Sequence, residues 1–281
     1  MTEQSNKINR RGFLKHVGAV LLATGAGCYS TSIETELVSI ERVTIPIKKL
    51  PSAVEGFKIV LMSDFHLYPY TKIEYIRKVV EETNALKPDL VVLTGDYVSD
   101  RAEAIFELGP VLGGLNATHG VCTVLGNHDI WSSARIVEQG LREAKLSFLK
   151  NQAVPIPVGK SNMYIVGLDD GWSGRPDLRG ALESVPDEST TILLMHEPDF
   201  ADRYAQDGRI SLQLSGHTHG GQVRIPGIGA LKLPPYGKKY DQGLYQVKGM
   251  WLYTTRGIGV VAVPVRFNCR PEITELTLVR S

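Results

Sequence analysis

The chain has 281 residues, 31 Lys and Arg against 30 Asp and Glu, 43% hydrophobic residues and three cysteines. So even a charge balance offers no basic stripe for nucleic acid, which excludes a nucleic-acid partner from the expectations. Three cysteines without a CxxC pair make neither a disulfide framework nor a zinc ribbon.

The N-terminus reads as an address rather than as part of a fold. Asn9-Arg10-Arg11-Gly12-Phe13-Leu14-Lys15 resembles a twin-arginine export signal, with Asn9 where Ser or Thr is usual. Val17 to Ala26 follows as a modest apolar stretch. It is shorter than the roughly 20 residues a membrane span needs and has the length of a signal core. Residues 1–27 are therefore expected to be a signal peptide for the twin-arginine export machinery, placing the mature chain in the periplasm, cell wall or at the membrane surface. A basic, unstructured N-terminus on a cytoplasmic protein is the competing reading. Cys28 follows Gly25-Ala26-Gly27 and is a candidate lipoprotein cysteine, although Gly25 stands where an apolar residue is expected. Residues 28–41 read as a linker and 42–281 as one domain, long enough for a proper core.

Five short apolar runs follow in order and read as buried strands: Phe57–Met62, Leu90–Leu93, Val121–Leu125, Ile192–Met195 and Ile210–Leu214. Each ends at a polar motif. The motifs are Ser63-Asp64-Phe65-His66, Gly95-Asp96, Gly126-Asn127-His128-Asp129, the lone His196, and Gly216-His217-Thr218-His219-Gly220-Gly221. Between the early runs, Ile73 to Leu86 and Arg135 to Leu146 carry apolar residues at helical spacing. Strand and helix in alternation predict parallel βαβ units, whose working edge lies at the carboxyl ends of the strands. All the motifs are thus expected at one edge of one sheet. The later segments Tyr164–Leu168, Ile192–Met195, Met250–Thr254 and Ile273–Val279 have few helical patterns and suit a second, more antiparallel sheet.

Imidazole nitrogen, carboxylate oxygen and amide oxygen are the donors that borderline and hard divalent metals accept. A single His or Asp after a strand is usually a satisfied turn residue, but five such motifs at five strand ends predict a metal site with donors for two ions.

The order Asp-x-His, Gly-Asp, Gly-Asn-His-Asp, His, Gly-His-x-His resembles the signature of the calcineurin-like metallophosphoesterases and spans Asp64 to His219. The extended Ser215–Gln222 motif and the tail Arg256-Gly257-Ile258-Gly259, Pro264-Val265-Arg266, Pro271-Glu272-Ile273 are similar to an exported bacterial subgroup, relatives of which hydrolyse UDP-2,3-diacylglucosamine in lipid A synthesis. The resemblance implies a four-layer α/β/β/α sandwich of two mixed sheets with helices outside. It assigns Asp64, His66 and His219 to a first metal, Asn127, His196 and His217 to a second, and Asp96 to both. It places His128 outside the metal shell, near the leaving-group oxygen. Protein serine/threonine phosphatases follow Gly-Asp with x-Val-Asp-Arg-Gly; here Asp96-Tyr97-Val98-Ser99-Asp100-Arg101 displaces the acidic residue by one. A protein phosphatase is therefore not expected, and Asp129 and Asp100 both remain open as the group orienting His128.

The implied chemistry is phosphoester hydrolysis, with hydroxide shared by two metals attacking phosphorus while His128 protonates the departing oxygen. Manganese, iron, zinc and cobalt all suit the donor set. Arg266 is a weaker candidate for phosphate contact, a structural arginine being the alternative. Leu231–Tyr240 mixes apolar, aromatic and basic residues and could rest on a membrane and admit a lipid phosphate, or be a solvated hairpin connection. The expected function is a phosphodiester or diphosphate hydrolase of the cell envelope. UDP-2,3-diacylglucosamine diphosphatase is the sharper version, and a metal-free scaffold of the same fold the alternative from another class.

Overall fold

The computed structural model describes residues 24–281 together with Leu14, Lys15 and Val17. Arg10, Arg11 and most of the expected signal core lie outside the described residues. Among the described residues no helix is long and apolar enough to cross a membrane.

In chain order the elements are β1 (Ser39–Ile47), β2 (Lys58–Met62), α1 (Ile73–Ala85), β3 (Leu90–Leu93), α2 (Ile105–Leu112), β4 (Val121–Thr123), α3 (Asn127–Glu143), β5 (Ser147–Phe148), β6 (Gln152–Val158) and β7 (Ser161–Gly167). The short helix α4 (Leu178–Ala181), β8 (Thr190–Leu194), α5 (Ala201–Tyr204) and β9 (Ile210–Ser215) follow. The hairpin β10 (Arg224–Ile225) and β11 (Gly229–Ala230), then β12 (Gly243–Val247), β13 (Met250–Thr254) and β14 (Glu272–Arg280), complete the chain.

Two six-stranded sheets result, ordered β1-β14-β2-β3-β4-β5 and β12-β13-β9-β8-β7-β6. The pairs β2–β3, β3–β4 and β4–β5 are parallel, as the βαβ alternation predicts. Alternation along the strands divides the core. On the first sheet, Val60, Met62, Val91 and Leu93 face Ile76, Val79, Ile105, Leu108, Val137 and Leu141 of α1, α2 and α3. Ile59, Leu61, Leu90 and Val92 face the other way, against Ile165, Ile192, Leu212 and Leu214 of the second sheet. Beyond that sheet, Val166, Leu193 and Leu252 pack on Ala181, Ala201 and Tyr204 of α4 and α5. These are the four layers of an α/β/β/α sandwich.

The second sheet is the more antiparallel of the two, as expected: β12–β13 and β6–β7 are antiparallel around three parallel pairs, against the single antiparallel pair β14–β2 in the first. Two expectations need correcting. Ile273–Val279 is not in the second sheet. β14 inserts into the first sheet, parallel to β1 and antiparallel to β2. The linker expected over 28–41 is folded: Tyr29–Ile33 and Glu34–Glu36 form helical turns, and β1 begins at Ser39. Glu34 is buried and accepts the backbone N–H of Cys269 at 2.6 Å, fastening this segment to the loop before β14.

Candidate metal centre

The motifs converge from two sheets rather than one. Asp64, Asp96 and Asn127 follow β2, β3 and β4 of the first sheet, while His196 and His217 follow β8 and β9 of the second. The face-to-face packing brings both sets of strand ends together. Backbone bonds stitch the loops: Asp64 N–H donates to Gly95 O, His66 N–H to Asp96 O, and Gly216 N–H to His196 O.

Three clusters of candidate ligands form, Asp64–His66–His219, His66–Asp96–His128 and Asp96–His196–His217, each with its ligand atoms within 4.8 Å of one another. Asp96 belongs to two of them, and its Oδ2 lies 3.4 Å from His66 Nε2 and 3.2 Å from His196 Nε2. His219 Nε2 lies 3.4 Å from Asp64 Oδ1 and 3.0 Å from His66 Nε2. Asn127 Oδ1 is buried with no hydrogen-bond partner, as is His219 Nδ1. His196 Nε2 also lacks a well-aligned hydrogen bond despite its nearness to Asp96. Buried, unpaired donors and acceptors are costly unless something else satisfies them. A cation is what electron-pair donors from imidazole, carboxylate and amide share, so the residues fit divalent metal.

The orientation of the imidazoles is built in. His196 Nδ1 donates to Thr94 O at 2.6 Å, which turns Nε2 towards Asp96 as the candidate ligand atom. His217 Nε2 donates to Pro235 O at 2.8 Å, leaving Nδ1 as its ligand atom. The loop Leu231–Tyr240 thereby holds a candidate ligand, a role its composition did not announce. His217 N–H reaches both Asp64 oxygens at 3.0 Å.

The backbone at the site is strained. Asp64, His66, Asp96, His217 and His219 all have left-handed φ, between 45° and 72°. For residues with a Cβ this conformation costs on the order of 1–2 kcal/mol apiece. The surroundings must overdetermine it, and Asp129 does so for Asp96. This buried carboxylate accepts N–H bonds from Asp96 and Tyr97 at 2.8 Å, Gly126 at 3.0 Å and Val98 at 3.3 Å. Asp129 thus supports the backbone and does not orient His128. Gly126 and Gly216 sit where chains pass closest: a Cβ at Gly126 would run into the Asp96 carboxylate and the His196 ring, and one at Gly216 into Ser63 and Asp64.

Without cations the charges are frustrated. Burial pushes Asp64 up to about 6, His66 down to about 3 and His217 down to about 4, and holds His219 well below the usual imidazole range. Burial acts against the charge of Asp96 and His196 too, but their mutual attraction overcomes it: Asp96 lies well below its ordinary value and His196 well above.

His128 differs from the rest. It is half-buried, its ring centroid 4.8 Å from that of His66 and its Nδ1 3.4 Å from Ser99 O. Its backbone N–H donates to Asp96 Oδ1 at 2.9 Å. Asp64, His66, Asp96, His196, His217, His219 and His128 therefore fall into linked clusters, and Asn127 directly precedes His128 in the chain.

Arg266 is the exception. It is 0% exposed, and its guanidinium donates to the carbonyls of Cys269, Arg256, Gly257 and Gly259 at 2.6–3.3 Å. It clamps the loop behind the site and presents no donor to solvent phosphate, which corrects its assignment as a phosphate contact. Ser99, Thr94 and Pro235 escaped the sequence reading because single residues that support a candidate ligand leave no spacing pattern, and Asp129 reads there as a partner of His128 rather than as a brace for the backbone.

A family model described as calcineurin-like phosphoesterase matches residues 57–221. The metallophosphoesterase YkuE of Bacillus subtilis is 39% identical over 282 residues, covering 97% of this chain and 98% of its own. The phosphodiesterase YaeI of Escherichia coli is 31% identical over 276 residues, covering 97% and 100%. Among solved structures, the sulfate thiohydrolase SoxB of Thermus thermophilus aligns with a TM-score of 0.50 at 15% identity, over 82% of this chain and 57% of that one, a likeness of fold alone.

Proposed function

The chain belongs to the calcineurin-like phosphoesterase family and is a phosphoric ester hydrolase, and on that footing we propose a two-metal phosphodiesterase or diphosphatase of the cell envelope. The observation that carries this reading is the position of Asp96, whose Oδ2 lies 3.4 Å from His66 Nε2 and 3.2 Å from His196 Nε2, with His128 the less buried member of the cluster it forms with His66 and Asp96.

Asp64, His66 and His219 would hold one divalent ion, Asn127, His196 and His217 the other, with Asp96 common to both. Such ions supply Lewis acidity to phosphoryl oxygens and bring the pKa of water towards neutrality. The chain's own contribution is placement. Thr94 O and Pro235 O fix the tautomers of His196 and His217, and the Asp129-braced loop fixes Asp96. His128, less buried than the candidate ligands, would give a proton to the departing ester oxygen, a role worth about 10²–10⁴ in rate.

Preference for a diester is supported by the name of the relative, the phosphodiesterase YaeI, and the envelope location by the twin-arginine-like Asn9–Lys15 segment. A lipid-linked substrate such as UDP-2,3-diacylglucosamine, met at a membrane surface, is favoured by one observation: Ile228, Leu231 and Tyr236 are exposed on the segment that also holds His217.

The test is hydrolysis of bis-p-nitrophenyl phosphate beside p-nitrophenyl phosphate by the wild-type chain and His128→Ala. The reading expects faster diester hydrolysis, and a variant that keeps its metal but loses turnover 10²–10⁴-fold. Loss of metal from His128→Ala would make that residue a ligand and overturn its role.

A further inference from the structure

Two tryptophans stand exposed beside the metal centre, and nothing in the hydrolytic reading uses them. Trp131 is 52% exposed and Trp172 37%. Trp131 lies three residues after His128 on α3, hence on the same helical face, with ring centroids 4.9 Å apart. Trp172 packs edge-on against Trp131 at 4.9 Å and against His217 at 5.8 Å. Tyr236 extends the series at 6.0 Å from Trp172. A continuous aromatic wall therefore runs from the proposed acid to a proposed metal ligand.

This wall is built rather than left loose. Two buried carboxylates fix the turn that carries Trp172: Glu197 accepts the N–H groups of Gly171 and Trp172 at 3.0 and 2.9 Å, and Asp170 accepts that of Ser173 at 2.5 Å. Ser173 Oγ in turn accepts the indole N–H of Trp131 at 2.7 Å. Holding indoles rigidly in water gains little for folding, whereas pre-ordered aromatic faces stack on flat rings with little entropy lost.

Resting on the reading of this centre as a phosphoester site, we propose that Trp131 and Trp172 form a specificity subsite that stacks a planar ring, a nucleobase or an aryl group, carried on the substrate phosphate. Because the wall starts at His128 and His217, a ring esterified to a phosphate held at the ligand clusters meets it directly. The wall adds affinity and selectivity; the cleavage itself stays with the metal centre.

The experiment is calorimetric binding to the Mn²⁺-loaded full chain of thymidine 5′-monophosphate, phenyl phosphate and ribose 5-phosphate. The first and third differ essentially by the planar base, and the second carries an aryl ring without a sugar. The two ring-bearing phosphates are expected to bind about tenfold or more tighter than ribose 5-phosphate. That preference should collapse in Trp172→Ala and largely return in Trp172→Phe, a pair that separates stacking from misfolding. A nucleobase site would favour thymidine 5′-monophosphate over phenyl phosphate, whereas a general aryl site would bind them alike; both support the proposal. Equal binding of all three, no binding of any, or a preference unchanged in Trp172→Ala would overturn it. No turnover is read, so a chain inactive on every phosphodiester would sink the hydrolytic reading while leaving this ratio intact.

Discussion

Asp129 offers the sharpest test of how the site is held. Its side chain touches no proposed ligand atom, yet each of its oxygens takes two backbone N–H bonds: Oδ1 from Tyr97 and Val98, Oδ2 from Asp96 and Gly126. Burial, then the nearby Asp96 carboxylate, push its pKa up to about 8, against the pull of those N–H groups. Since both oxygens are already surrounded by donors, the loop is built around the carboxylate form. Replacing Asp129 by Asn keeps the volume but turns an NH₂ towards two N–H groups. Each buried N–H left without an acceptor costs about 1–3 kcal/mol. Two lost at Asn therefore cost about 2–6 kcal/mol, and in Ala, where water recovers some of four lost bonds, about 4 kcal/mol. For a domain of this size a loss of 4 kcal/mol is roughly 10 °C in Tm. Thermal and urea unfolding of the two variants measure it, with metal content expected to fall in parallel as Asp96 relaxes from its left-handed backbone. A change below 2 °C in Asp129→Asn would refute the reasoning, since packing alone predicts little cost for an isosteric swap.

Arg266→Met should lower stability by about 3 kcal/mol, because four buried carbonyls lose a charged donor, while KM for bis-p-nitrophenyl phosphate stays put; a tenfold rise in KM at unchanged Tm would return Arg266 to the phosphate. Gly216→Ala drives a methyl group into Ser63 and Asp64. Overpacking of this kind costs about 1–3 kcal/mol, and the variant should retain less metal after dialysis, so full metal content would contradict the close-approach argument. Metal binding at pH 7 should release protons, because Asp96 keeps His196 protonated in the metal-free chain despite its burial. Affinity should then weaken further below about pH 6, where Asp64 also takes a proton. Binding enthalpies that are identical in two buffers of different ionisation enthalpy would exclude that release.

The strands and candidate ligands were legible for one reason: short buried runs and the residues that end them are local features. Asp64, Asp96, Asn127, His196, His217 and His219 all follow such runs, and two packed parallel layers carry them to one place. Long-range pairing was not legible. Ile273–Val279 carries the same apolar pattern in either sheet, and only the docking of β14 between β1 and β2 decides which. Ser39–Glu41 read as linker because a half-buried edge strand need not be strongly apolar. Arg266 misled because a charged residue near a phosphate site suggests contact, whereas the carbonyls it serves have no sequence signature. The left-handed ligands were invisible for a related reason: they are Asp and His, without the glycine that usually marks that conformation. Trp131 could have been found, since it lies one helical turn beyond His128, but Trp172 could not, because its position depends on Glu197, a residue distant in sequence.

The central claim is that one buried carboxylate, Asp96, joins two ligand clusters into a working two-metal centre. Chelator-stripped protein should be titrated with Mn²⁺, with bound metal and bis-p-nitrophenyl phosphate hydrolysis measured at each step. The account predicts saturation at two ions per chain, with activity restored as the second is taken up and both lost in Asp96→Ala. Full activity at one ion per chain, or in Asp96→Ala, would contradict it.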